Sequence, residues 1–256
     1  MEIDTGSLLV AEIVNYSLKG LIAGVGRGTG FTKHVRLLSL KVNLDDDLSS
    51  LVNAIAETRM VDYGNIVVLP SKVVAIVEKR FVHGLTVRNY QRCVTDLEYA
   101  RQHLTMEDGS TLTERDQIGL DKIDPRKKLG LAYPSNPNRS AHEIAKLILQ
   151  RTGAKVDAVI SDSDAGSKKG MALIGCPSIL VTPIGATRGL RLFYCMRVAV
   201  AAELSWNNND STPVLLVQPS TTSSHLKREF MGELRYEGFL DATREEDILY
   251  FKRIRQ

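Results

Sequence analysis

Cysteine is scarce in this chain, and its three copies form no pattern. Cys93, Cys176 and Cys195 contain no Cys-x-x-Cys pair. That excludes a disulfide framework and a cysteine zinc site, and it suits a reducing cytoplasm, which is the expected location. Long apolar runs are lacking too. The longest, near 193–204, is interrupted by Arg197 and is too short to span a bilayer. The first residues, Met-Glu-Ile-Asp, lack the basic start of a signal peptide. Charge of one sign is nearly absent as an excess: the net value is +3, too small to argue for nucleic acid or an anionic membrane as partner. His34, His83, His103, His142 and His225 form no His-Glu-x-x-His or similar spacing, and each reads as a surface or core residue. There is no Gly-x-Ser-x-Gly and no Cys/His nucleophile pattern, so no residue is singled out as catalytic. Gly24-Val-Gly-Arg-Gly-Thr-Gly30 fails the dinucleotide spacing because Thr29 stands where the third glycine is needed. A turn is the plainer reading there.

What is present is an ordinary globular composition, 43% hydrophobic and 25% charged, which allows a core of normal size. The length suits one large domain or two small ones. The expectation is a single unit over 1–256, with room for a smaller subdomain near 80–118.

The most informative stretch is 156–170. Val156-Asp-Ala-Val-Ile160 is a mainly apolar, β-branched run, the mark of a buried strand. It stops at Ser161 and runs into Asp162, Ser163 and Asp164, then Gly166-Ser-Lys-Lys-Gly170. Carboxylates at a strand end are hard oxygen ligands for a metal ion. A Gly/Lys loop beside them supplies N–H groups and positive charge for phosphates. The same residues also make an ordinary polar turn.

Taken in order, 8–25 contains a strand and 35–42 another. Asp45-Asp-Asp47 opens a helix over 48–58, with apolar positions 48, 51, 52 and 55. Gly64 breaks the chain, and Ile66 to Leu69 is a buried strand followed by Ser71 and Lys72. Residues 92–104 are expected to form one helix, with a loop at Asp108-Gly109. A proline-bearing loop follows Asp121. Ser140-Ala-His-Glu143 is a capping box that starts a helix closed by Gly153. The longest helical candidate is 188–206. Residues 213–217 form a strand leading into Ser220-Thr-Thr-Ser-Ser224, five hydroxyls that suit phosphate oxygens or a solvated turn equally. Further elements are expected at 224–235 and 247–254.

Five pieces together resemble the γ-glutamyl ligase of coenzyme F-420, a deazaflavin. They are Leu44-Asp-Asp-Asp-Leu48; the stretch from Asp62 through Ser71-Lys-Val-Val to Arg80; Gly119-Leu-Asp121 followed by Pro134-Ser-Asn-Pro-Asn-Arg-Ser-Ala141; Val159-Ile-Ser-Asp-Ser163; and Ala199-Val-Ala-Ala-Glu-Leu204 with its following strand. They occur in the family's order over 39–218. Residues 1–38 have no counterpart and form an N-terminal extension.

The resemblance implies an α+β fold of mixed sheets with flanking helices, not a doubly wound parallel sheet. It implies a GTP-dependent ligase that forms an amide between an acid and an amino acid such as L-glutamate. Mn²⁺ or Mg²⁺ would be the metal, with room for a monovalent cation. Carried over by position, Asp121, Asp162 and Ser163 are the metal ligands, and Ser71 and Lys72 sit at the nucleotide. Lys168 and Lys169 stand where the family carries arginine, and Ser220 and Thr221 are further candidates for the phosphates. The implied partners are a small-molecule substrate, the nucleotide and a second copy of the chain in a homodimer. A nucleotide- or metabolite-binding protein of the same fold is the alternative, and a phosphate-transferring enzyme using the same acids is a third.

Overall fold

The computed structural model describes residues 13–14, 32–38, 40–124, 126–162, 182–187, 190, 194–195, 198, 201–202 and 214–219. The chain divides into two compact units. The smaller comprises residues 1–7, 41–51 and 71–135, and the larger comprises 8–40, 52–70 and 136–256. Both contain strands and helices, so the class is mixed α+β with two sheets.

The larger unit carries a six-stranded sheet in the order β1-β2-β10-β3-β8-β9. Its strands are β1 (Ile13–Val14), β2 (Thr32–Leu38), β3 (Ile66–Pro70), β8 (Asp157–Asp162), β9 (Thr182–Ala186) and β10 (Val214–Pro219). Only β3 and β8 run parallel; the other neighbours are antiparallel. All five residues of β3 and all six of β8 are buried. This matches the apolar run of β3 and the Ala158–Ile160 centre of β8, since a strand covered on both faces has no reason to alternate. One face forms a core from Val35, Ile66, Val68, Val159, Leu215 and Val217 with Leu190, Tyr194, Cys195, Val198, Ala201 and Ala202. The last six lie in the stretch read as a helix, and Tyr194, Cys195, Val198, Ala201 and Ala202 are helical.

Helix α6 (Pro137–Thr152) packs on β8 and β9. It starts four residues before the capping box expected at Ser140. Asn136 is the cap, and its side chain accepts the Arg139 N–H at 3.1 Å. Pro137 fills the first helical position, where its missing N–H costs nothing and its φ already suits the helix. The Ser140 hydroxyl instead donates back to the Asn136 carbonyl. Gly153 closes the helix with φ +72°, as the sequence predicts.

The smaller unit carries a four-stranded sheet, β5-β4-β7-β6. The strands are β4 (Phe81–His83), β5 (Thr105–Met106), β6 (Asp121–Asp124) and β7 (Leu129–Leu131), all antiparallel. β6 and β7 form a hairpin where a loop is expected; three or four residues per strand leave too short an alternation to read. Helices α2 (Ser71–Val77), α3 (Tyr90–Thr95), α4 (Leu97–His103) and α5 (Glu114–Ile118) complete it. The single helix expected over 92–104 is two, because Asp96 turns extended and its carboxylate accepts the Tyr99 N–H to cap α4.

Helix α1 (Leu48–Glu57) matches its expected span and buries Leu51, Val52 and Ile55. Asp47 is its cap, accepting the Ser50 N–H at 2.7 Å. Gly64 and Gly109 take positive φ, in keeping with the breaks read there. Among the described residues no helix is long and apolar enough to cross a membrane. The loop 24–30 and the elements expected at 224–235 and 247–254 lie outside the described residues.

Candidate functional site

In the smaller unit, two of the residues singled out in the sequence are brought together. Lys72, the second residue of α2, makes an ion pair through Nζ with Oδ2 of Asp121, the first residue of β6. The Lys72 side chain is 49% exposed and that of Asp121 33% exposed, so the pair meets solvent. Its geometry comes from the packing beneath it. Ala75 and Ile76 of α2 share a core with Phe81, Leu131, Ile123 and Leu129, which joins α2 to the β6–β7 hairpin. The backbone around Asp121 is closely packed. A Cβ on Gly130 would come within 2.7 Å of the Asp121 carbonyl, and one on Gly119 would enter the Tyr133 ring at 2.3 Å. Only hydrogen fits at these two positions without a shift of the neighbours. Ser71 is buried at the start of α2.

The same unit holds a buried residue that the sequence reading quotes but gives no role. Arg80 is buried and donates from Nε to the Tyr133 carbonyl at 3.0 Å, from Nη1 to Asp108 at 2.9 Å and from Nη2 to Asp116 at 2.8 Å. Asp116 also completes a capping box with Thr113 at the start of α5, the helix that leads to Gly119 and Asp121. Arg80 ends the stretch from Asp62 that resembles the ligase family, but nothing in that stretch shows which residues it meets.

In the larger unit, β8 ends as expected. Ser161 and Asp162 are both buried, and Ser161 lies beside Pro70 at the carboxyl ends of the parallel pair β3 and β8. That end of parallel strands is where open α/β sheets bind ligands. Alternation along β8 separates the two donors. Ser161 shares its face with Val159, which packs on the 190–202 side. Its Oγ is buried without a hydrogen-bond partner among the described residues. Asp162 shares the opposite face with Ile160. Ile160 pairs with Gly185, and a Cβ on Gly185 would strike Pro137 at 2.4 Å, so the first turn of α6 lies against this end of the sheet. Asn138 fastens that turn by accepting the Ala186 N–H at 2.9 Å. The closeness of Gly185 to Pro137 joins residues far apart in the chain and has no local sequence signal.

The far end of β8 is also polar. Asp157 is fully buried, and its charge adds to burial in pushing the Cys195 thiol up to about 12. Asn65 donates to Gln218 beside it in the sheet, and its carbonyl accepts the Asp157 N–H.

Asp121 belongs to the smaller unit and Asp162 to the larger. Ser163, Lys168, Lys169, Ser220 and Thr221 lie outside the described residues. Among the described residues no group of three or more His, Cys, Asp or Glu is arranged to hold a metal ion. By donor type, the buried Asp162 carboxylate fits a hard divalent cation. Asp121 does not fit in the same way, because the Lys72 ammonium already lies against its carboxylate.

No protein-family model matches the sequence. No curated protein matches it either.

Proposed function

We propose that the chain is a divergent amide-forming ligase of the kind it resembles, with the fold of the coenzyme F-420 γ-glutamyl ligase. It would join a small-molecule acid to the amine of an amino acid such as L-glutamate with GTP as co-substrate, acting in the cytoplasm as a homodimer. The observation that supports this most is the ion pair of Lys72 with Asp121. Two positions that the resemblance carries to the nucleotide and metal end are direct neighbours, although local sequence gives no reason for them to meet.

In this reading Asp162, with Ser163, holds a divalent cation, Mn²⁺ or Mg²⁺. When bound, such an ion neutralises charge on the nucleotide's phosphate oxygens. In the smaller unit Ser71 and Lys72, and in the larger Lys168, Lys169, Ser220 and Thr221, supply hydroxyl and ammonium donors of the kind that bind phosphates. The burial of β8 keeps water from the Asp162 carboxylate and strengthens its hold on a cation.

The alternative is a nucleotide- or metabolite-binding protein of the same fold without the chemistry. Calorimetric titration of GTP with and without Mn²⁺ separates the two. The ligase reading expects binding that depends on Mn²⁺, and phosphate release that depends on the acid and amino acid. Metal-independent binding, or none, favours the alternative.

A further inference from the structure

We infer that Lys72, rather than a metal ion, is the cation that Asp121 binds, and that Asp121 is a positioning residue that holds the Lys72 ammonium toward an anionic ligand. The inference rests on the proposed function only for the nature of that ligand, a phosphate-bearing nucleotide.

Three observations carry it. The pair is direct, Nζ to Oδ2, and joins two elements that share one core. The backbone at Asp121 is closely packed: a Cβ on Gly130 would come within 2.7 Å of the Asp121 carbonyl. The ammonium, in contrast, stands at the end of a flexible stem and is half-exposed. The ammonium side chain is more exposed than the carboxylate it pairs with, so an anionic ligand can reach it from solvent. Lysine serves well as a point charge for phosphate, with three donors that can be shared between a carboxylate and a ligand oxygen.

The same arrangement works against a divalent ion at Asp121. A hard cation binds through carboxylate oxygens, and the Lys72 ammonium already lies against this one. A metal on this carboxylate would also lie within a few ångströms of a unit positive charge. At such distances the repulsion on a doubly charged ion, even at the dielectric of water, lowers affinity by about tenfold or more.

The test is Mn²⁺ binding by the full chain, followed by calorimetry and by the paramagnetic signal of unbound Mn²⁺, in wild type, Lys72→Met, Lys72→Arg, Asp121→Asn and the Lys72→Met/Asp121→Asn double variant. Asp121→Asn is expected to leave wild-type Mn²⁺ affinity within about twofold. Lys72→Met is expected to gain Mn²⁺ affinity by about tenfold, and the double variant to lose that gain. Lys72→Arg keeps the charge and should behave as wild type. Inorganic triphosphate, titrated without metal, should bind about tenfold more weakly to Lys72→Met and to Asp121→Asn. Loss of wild-type Mn²⁺ binding in Asp121→Asn overturns the inference, as does an unchanged Mn²⁺ affinity in Lys72→Met or unchanged triphosphate binding. Asp162→Asn separates this from the ligase reading: Mn²⁺ binding that survives it counts against a metal at Asp162 and leaves the Lys72–Asp121 result untouched.

Discussion

Arg80 and Asp116 meet at 2.8 Å in the interior of the smaller unit, with 9% and 8% of their side chains exposed. Each is used elsewhere as well. Arg80 also reaches Asp108 and the Tyr133 carbonyl, and Asp116 also accepts the Thr113 N–H and hydroxyl. A buried guanidinium with these partners is well satisfied, and removing it strands carboxylate charge beside apolar surroundings.

Arg80→Met should therefore destabilise the smaller unit by about 3–5 kcal/mol, the range for breaking one side of a buried pair. Urea denaturation measures it. Arg92→Met is the control: its pair with Asp96 is long at 3.8 Å and exposed, and its loss should change little. Equal effects from the two would mean the Arg80 network contributes no more than a surface pair.

Gly185→Ala should cost about 1–3 kcal/mol, because the new methyl meets backbone of Pro137 rather than a side chain that can turn away. Gly153→Ala has open space around it and only its left-handed φ to oppose it, so about 1 kcal/mol is expected. Thermal unfolding of the two variants ranks them; a larger loss for Gly153 would contradict the close seating of α6 on β9.

Asp47 should give the folded chain an acid-sensitive component. The Ser50 N–H, and then its hydroxyl, hold the Asp47 carboxyl below its ordinary range. A lowered folded value means stability present above the unfolded carboxylate pKa of about 3.9. It is lost as pH falls through the lower folded value. Asp47→Asn keeps a capping oxygen and removes the titration. The difference between wild type and Asp47→Asn in urea midpoint should therefore shrink as pH drops below about 4. A difference that stays constant from neutral pH into acid would remove Asp47 from that account.

Thiol labelling provides a further check on the core. Cys195 is buried with its thiol pushed up to about 12 by burial and by Asp157, and burial also raises Cys93. Both stay protonated and shielded at pH 8, and a protonated thiol is a poor nucleophile. The Cys176→Ser variant should show no rapid reaction with a disulfide reagent until denaturant is added. Rapid labelling of the native variant would contradict the burial of one of the two.

The amino-acid sequence alone determined the elements whose signals are local. The apolar run of β8, the acid cap and spacing of α1, the strand at β3 and the glycine end of α6 all appear in a few adjacent residues. The capping box Ser140-Ala-His-Glu143 places the start of α6 at Ser140, but the helix begins at Pro137, whose preset φ took the first position. Of the candidate site, the sequence singled out Lys72 and Asp162 by residue type and place, and Asp121 only through the resemblance. Only the tertiary structure decided what each one touches. Lys72 pairs with Asp121 because α2 and the β6–β7 hairpin bury apolar residues in one core, and Arg80 became a hub because Asp108, Asp116 and Tyr133 converge on it from three separate segments. Ion pairs and close glycine contacts depend on distances of a few ångströms between segments far apart in the chain. Residue type and spacing do not encode those distances; the packing of the whole unit does.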